Sequence, residues 1–190
     1  GPNPAAWKDN LEYAGLPRVV KTVTHHPAMP YSEIPQFMAD LRSREGVAPL
    51  ALEFLILTAA RSGEVRGAKW SEIKGDVWTI PADRIKAKLG TGKPHHVALC
   101  TRARAILSEM AAIRSSDYIF PGQRPKRPLS NQGMASVLKR MGIDYTVHGF
   151  RSTFRTWVSE QTNTEPFVAE KALAHAVGNA VERAYDRATL

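Results

Sequence analysis

The chain has 190 residues, 43% hydrophobic and 23% charged, and a net charge of +8 from 26 Lys and Arg against 18 Asp and Glu. That is enough for one domain with its own core, and the basic excess favours a polyanionic partner such as nucleic acid. A single cysteine, Cys100, excludes an internal disulfide and a thiolate metal site, and it fits a reducing, cytoplasmic setting. No apolar run reaches the length of a membrane span, no basic amphipathic helix points to a membrane surface, and the N-terminus lacks the charged-then-apolar order of a signal peptide.

Gly1-Pro2 looks like the scar of a removed tag, and residues 3–30, with Pro4, Pro17, Pro27 and Pro30, read as an extended lead-in. From residue 31 the pattern becomes helical. Ser32 is placed to cap a helix reaching about Arg44, with Ile34, Phe37, Met38 and Leu41 on one face. Gly46 and Pro49 punctuate, and the almost wholly apolar Leu50 to Ala60 reads as a central buried helix. Ser62 then caps a short helix from Gly63 to Trp70. Val77 to Ile80 and His96 to Leu99 are β-prone and bounded by turn residues. The basic connection between them, Pro81 to Pro94, carries Lys86, Lys88 and Lys93. Helix returns from Thr101 to Arg114. Pro121 to Pro128 forms a basic loop, and Ser130 opens a helix to Met141. Val147, Phe150, Phe154, Trp157 and Val158 then step at helical spacing, and two last helices cover about 165–175 and 179–188, divided near Gly178. The expected class is mainly α with a small antiparallel β-sheet (α+β), in one domain over 31–190.

Several residues suggest chemistry. His148 and Arg151 lie three apart on a helix and so share a face, opposite the Phe150, Phe154, Trp157 stripe. Such pairs are common on solvated faces and carry little alone. Arg61 follows a buried helix, where an unpaired charge costs several kcal/mol. Glu64 is its expected partner, whether as a plain helix-terminal ion pair or to aim the guanidinium fork at a phosphate. Val181, Ala184, Tyr185 and Ala188 fall on one helical face, which by itself describes a core tyrosine. No carboxylate cluster suited to Mg²⁺ accompanies these residues, which argues against a two-metal nuclease.

Taken in order, Arg61-Ser62-Gly63-Glu64, His148-Gly149-Phe150-Arg151, Leu173-Ala174-His175 and Tyr185 resemble the signature of the tyrosine recombinases, the phage integrase family. The segments TAARSGEVRGAKW, TVHGFRSTFRTW and ALAHAVGNAVERAY are similar to integrases of P4-like prophages and genomic islands. The resemblance covers roughly 30–190 and implies the family's catalytic-domain fold. It implies Tyr185 as nucleophile, forming a 3′-phosphotyrosine, with Arg61 and Arg151 gripping the scissile phosphate and His148 and His175 hydrogen-bonding it. It also implies a lysine that protonates the departing 5′-oxygen; Lys86, nearest the first strand, is preferred over Lys88 and Lys93. It implies integration or excision of a mobile element without metal, ATP or other cofactor. The implied partners are double-stranded attachment-site DNA, a tetramer assembled on it, a directionality factor (excisionase) and a DNA-bending host protein. Ala174 stands where many members have glycine. The core-binding and arm-binding domains usual in the family do not fit before residue 30, and only five residues follow Tyr185, fewer than the tail of many relatives. The alternatives kept are a type IB topoisomerase-like relaxing enzyme and a non-catalytic DNA-binding regulator on the same fold.

Overall fold

The computed structural model describes residues 27–85 and 93–175. Lys86, Lys88, Tyr185 and the expected helix over 179–188 lie outside the described residues.

Helix α1 (Ile34–Arg42) buries Phe37, Met38 and Leu41. Ser32 does not cap it: Tyr31–Glu33 form a 3₁₀ turn after Pro30, and Glu33 precedes α1 without a side-chain cap bond. Helix α2 (Val47–Thr58) is the centre of the molecule, with Ala51, Leu52, Phe54 and Leu55 at most 1% exposed. It starts three residues before the expected Leu50 because Pro49 sits in its first turn, where the missing N–H costs no hydrogen bond. Around α2 pack α1, α3 (Ser62–Arg66), α4 (Thr101–Ala112) and α5 (Gly133–Arg140). The fully buried Glu53 would destabilise this helix unpaired. Arg42 donates to it at 2.6 Å and Arg102 at 2.8 and 3.0 Å, which compensates the buried charge.

The sheet has three antiparallel strands in the order β1 (Ile73–Lys74), β2 (Val77–Ile80) and β3 (His95–Ala98). Two-residue β1 is too short to show alternation, so sequence pattern misses it; Gly75, at φ 59°, makes the turn into β2. Strand β3 runs one residue earlier than expected, pairing Ile80 with His95 and Trp78 with Val97. This register turns Trp78, Ile80 and Val97 to the core. There Phe54 packs between Trp78 and Phe120, with ring centroids 5.4 Å apart in both cases.

Helix α5 begins three residues after Ser130, because Gly133 N–H closes a turn onto the Ser130 carbonyl at 3.1 Å. Helices α6 (Gly149–Gln161) and α7 (Pro166–Ala172) pack on each other. Pro27–Met29, read from sequence as the end of the lead-in, cross the first turn of α6. The Pro27 carbonyl accepts from Thr146 N–H at 3.1 Å and the Met29 carbonyl from Thr153 Oγ1 at 2.5 Å. A Cβ on Gly149 would lie 2.3 Å from the Pro27 oxygen, so only glycine fits there. Among the described residues no helix is long and apolar enough to cross a membrane.

Candidate phosphate-binding active site

Arg61 immediately precedes α3, in extended conformation. Glu64, 3% exposed, holds it twice: Oε2 accepts the Arg61 backbone N–H at 2.7 Å and Oε1 accepts Nη1 at 2.8 Å. One carboxylate thus caps the helix and fixes the guanidinium plane. The Arg61 Nη2 reaches across the chain to the Ala174 carbonyl at 3.2 Å.

Arg151 lies in the first turn of α6 and is 4% exposed. Its Nη1 donates to the Ala59 carbonyl, and Nη2 donates to the Leu173 carbonyl at 2.5 Å and meets His175 Nε2 at 3.1 Å. The face that His148 and Arg151 were expected to share is not evenly exposed. His148 is exposed just before α6, whereas Arg151 is enclosed beside Phe150. The apolar stripe does not register this enclosure, because main-chain carbonyls at the ends of α2 and α7 and the His175 ring, not apolar side chains, meet the guanidinium. Burial, reinforced by the Arg61 charge, lowers its pKa to about 10, so it stays cationic at neutral pH.

The end of α7 organises the cluster. Leu173 and Ala174 present their carbonyls to Arg151 and Arg61 in turn, and the Ala172 backbone lies beside His95 on β3. A helix C-terminus carries partial negative charge and favours such cationic company. Ala59 and Ala174 are both left-handed, at φ 49° and 48°, a conformation costing non-glycine residues about 1–2 kcal/mol. Each turns its carbonyl to an arginine: Ala59 to Arg151, Ala174 to Arg61. His175 follows directly, with Nδ1 2.6 Å from Glu170 Oε2, while Glu170 Oε1 accepts from Arg155 Nε at 2.5 Å.

The structure therefore gathers Arg61, Glu64, Arg151 and His175 at one point, and places His148 immediately before α6, three residues ahead of Arg151. Lys93 is exposed at the foot of β3. Three neighbours escaped the sequence reading. His95 fell between the basic connection and the β-prone run that starts at His96; burial depresses its pKa. Glu170 stands one helical turn and a bend before His175, a spacing that signals nothing until the ring's orientation is known. Arg84, two residues before Lys86, donates to the Gly67 carbonyl, Glu72 and, at 2.5 Å, the Glu64 carbonyl. The lysine-bearing connection thus departs from a point tied to α3. Two guanidiniums with donors to spare and an imidazole beside them match a tetrahedral oxyanion.

A small sheet beside a helical bundle, with this basic cluster between α3, α6 and α7, defines a DNA breaking-and-rejoining catalytic fold. The same architecture occurs in a lambda integrase (75–356) dimer bound to a COC′ core site, at TM-score 0.62 and 20% identity, covering 84% of this chain and 61% of that one. It occurs also in the XerH site-specific recombinase bound to difH, at TM-score 0.62 and 18% identity, covering 90% and 56%, and in the lambda integrase catalytic core, at TM-score 0.57 and 18% identity, covering 81% and 94%. The model of the phage integrase family matches residues 28–189, and the chain belongs to that family. It is 34% identical over 169 residues to prophage integrase IntA of Escherichia coli K12, covering 85% of this chain and 40% of that protein. It is 31% identical over 179 residues to the integrase of Enterobacteria phage P4, covering 85% and 41%. The chain thus spans about two fifths of the length of these curated relatives.

Proposed function

We propose that residues 31–190 are the catalytic domain of a site-specific recombinase that integrates or excises a mobile element. The observation that carries this reading is the meeting of Arg61, Arg151 and His175, drawn from distant parts of the chain onto the carbonyls of Leu173 and Ala174. In this reading the Tyr185 hydroxyl attacks the scissile phosphorus and the bond to the 5′-oxygen breaks. Arg61 and Arg151 offset the charge growing on the phosphate oxygens, a role often worth several kcal/mol per group. His148 and His175 hydrogen-bond the same oxygens and assist proton movement, His175 taking the proton that Tyr185 loses. Lys86 gives its proton to the departing 5′-oxygen. The phosphotyrosine keeps the energy of the broken bond, so a 5′-hydroxyl from another strand reverses the step without ATP, and the cationic side chains take the part of a metal.

The substrate is double-stranded attachment-site DNA in the cytoplasm, and strand exchange is completed by a tetramer assembled on it, with a directionality factor and a DNA-bending host protein. Family membership and the named assemblies of structural neighbours, among them a lambda integrase tetramer bound to a Holliday junction, support this reading. The test is a nicked suicide duplex carrying the attachment site, incubated with the full-length protein. Wild type leaves a detergent-resistant protein–DNA adduct and Tyr185→Phe leaves none. An adduct that persists in Tyr185→Phe assigns the nucleophile elsewhere.

A further inference from the structure

The recombinase reading assigns no part to Glu170, yet this side chain makes the shortest polar contact of His175. The imidazole is gripped from both sides. Its Nδ1 lies 2.6 Å from Glu170 Oε2, and its Nε2 lies 3.1 Å from Arg151 Nη2. A guanidinium has no acceptor, so the Arg151 contact requires Nε2 to carry the lone pair and Nδ1 to carry the hydrogen. A carboxylate has only acceptors, so Glu170 demands the same arrangement from the other side. The two contacts agree on one tautomer and one ring orientation. Arg155 donates to the second carboxylate oxygen at 2.5 Å. That bond holds the carboxylate in place and offsets a negative charge which, unpaired beside a phosphate site, would repel the substrate.

We propose that Glu170 is the positioning residue for His175: its carboxylate accepts the Nδ1 hydrogen and thereby aims the Nε2 lone pair at the Arg151 side, where Nε2 takes up the nucleophile's proton and, once protonated, donates to the scissile phosphate. This rests on the recombinase reading for its catalytic consequence, although the hold on the ring stands apart from it. The geometry is that of a carboxylate behind a catalytic histidine, which elsewhere fixes a tautomer without itself exchanging a proton. Glu170 sits on α7, and the same helix end supplies the Leu173 and Ala174 carbonyls. One short element thus orients both arginines and the histidine.

Glu170 is partly exposed and outside the core, so Glu170→Ala is expected to fold. Three measurements are read together on the full-length protein. In single-turnover cleavage of the suicide duplex, Glu170→Ala slows adduct formation about tenfold to a hundredfold, the scale of a misplaced catalytic group, while DNA affinity stays within about twofold. Glu170→Gln, which keeps an acceptor oxygen, recovers part of the lost rate. Nitrogen-15 NMR of the His175 ring shows a fixed Nδ1–H tautomer in wild type and a mixture in Glu170→Ala. Wild-type cleavage rate and an unchanged ring signal in Glu170→Ala overturn the proposal and leave the recombinase reading standing. Loss of rate equal to the loss of DNA affinity, without rescue by glutamine, also overturns it, because Glu170 would then act on binding alone. If wild type forms no adduct, the recombinase reading fails, and the ring signal by itself decides whether Glu170 holds His175.

Discussion

At the scale of single residues, Arg61 shows how much geometry one side chain carries. Its charge alone would be matched by lysine. Its three fixed contacts, two to Glu64 and one to the Ala174 carbonyl, depend on a main-chain N–H and a planar fork. Arg61→Lys keeps the charge and the capping N–H but loses the fork. We expect the cleavage rate to fall by about a hundredfold or more, with a change in melting temperature of only a few degrees, measured by suicide-substrate kinetics and thermal unfolding. A rate within a few-fold of wild type would mean that the site needs only charge at this position. The Arg61–Glu64 pair was legible beforehand, because i, i+3 spacing at a helix start admits few other partners. The burial of Arg151 was not. Helical periodicity reports where apolar side chains point and is blind to carbonyls at the ends of other helices. His95 and Glu170 were missed for a related reason: a lone histidine or glutamate acquires a role only from a neighbour distant in the chain.

Among the elements, α6 depends on a close approach. The Pro27–Met29 segment lies across its first turn, where a Cβ on Gly149 would meet the Pro27 carbonyl. Gly149→Ala gains helix propensity but drives a methyl into the Pro27 carbonyl. Overpacking of this kind costs about 1–3 kcal/mol, so chemical denaturation should show a lower midpoint and an unfolding free energy smaller by that amount. An equal or higher midpoint would show that residues 27–29 move aside freely. Because Arg151 is two residues further along the same turn, the variant also tests how firmly the strap sets the arginine. The long elements α2, α4 and α6 were readable from apolar spacing to within a few residues. Ends moved at Ser32, Pro49 and Ser130, where a 3₁₀ turn, a first-turn proline or a local turn competes with side-chain capping, and around Ser62, where Arg61 rather than Ser62 precedes α3 and the helix stops at Arg66 instead of Trp70.

Over the whole molecule, titration behaviour divides into two windows. Burial depresses the His95 pKa below its ordinary 6.5, so the unfolded chain takes up the proton first as pH falls. Its contribution to stability is complete above about pH 6.5 and declines below it, by at most about 1.4 kcal/mol per pH unit. Glu53 and Glu170 behave differently. Burial opposes their charge, but hydrogen bonds from Arg102 and Arg42 to Glu53, and from His175 and Arg155 to Glu170, outweigh it and hold both below the ordinary 4.5. Their contribution is present above pH 4.5 and is lost as pH falls through their lower folded values. Melting temperature should therefore decline in two stages between pH 8 and pH 3. His95→Gln, neutral throughout, should reduce the first stage and leave the second; an unchanged first stage would remove His95 from the account.

The contacts of the two arginines also set a clock. Arg61 and Ala174 are 113 residues apart and Arg151 and Ala59 are 92 apart. At about 5–20 residues per second, a ribosome needs on the order of ten seconds to make the chain between the first arginine and the turn that receives it. During that interval the cluster of Arg61, Arg151 and His175 does not exist. An unfinished or prematurely terminated chain therefore lacks the contacts that seat Arg61 and Arg151.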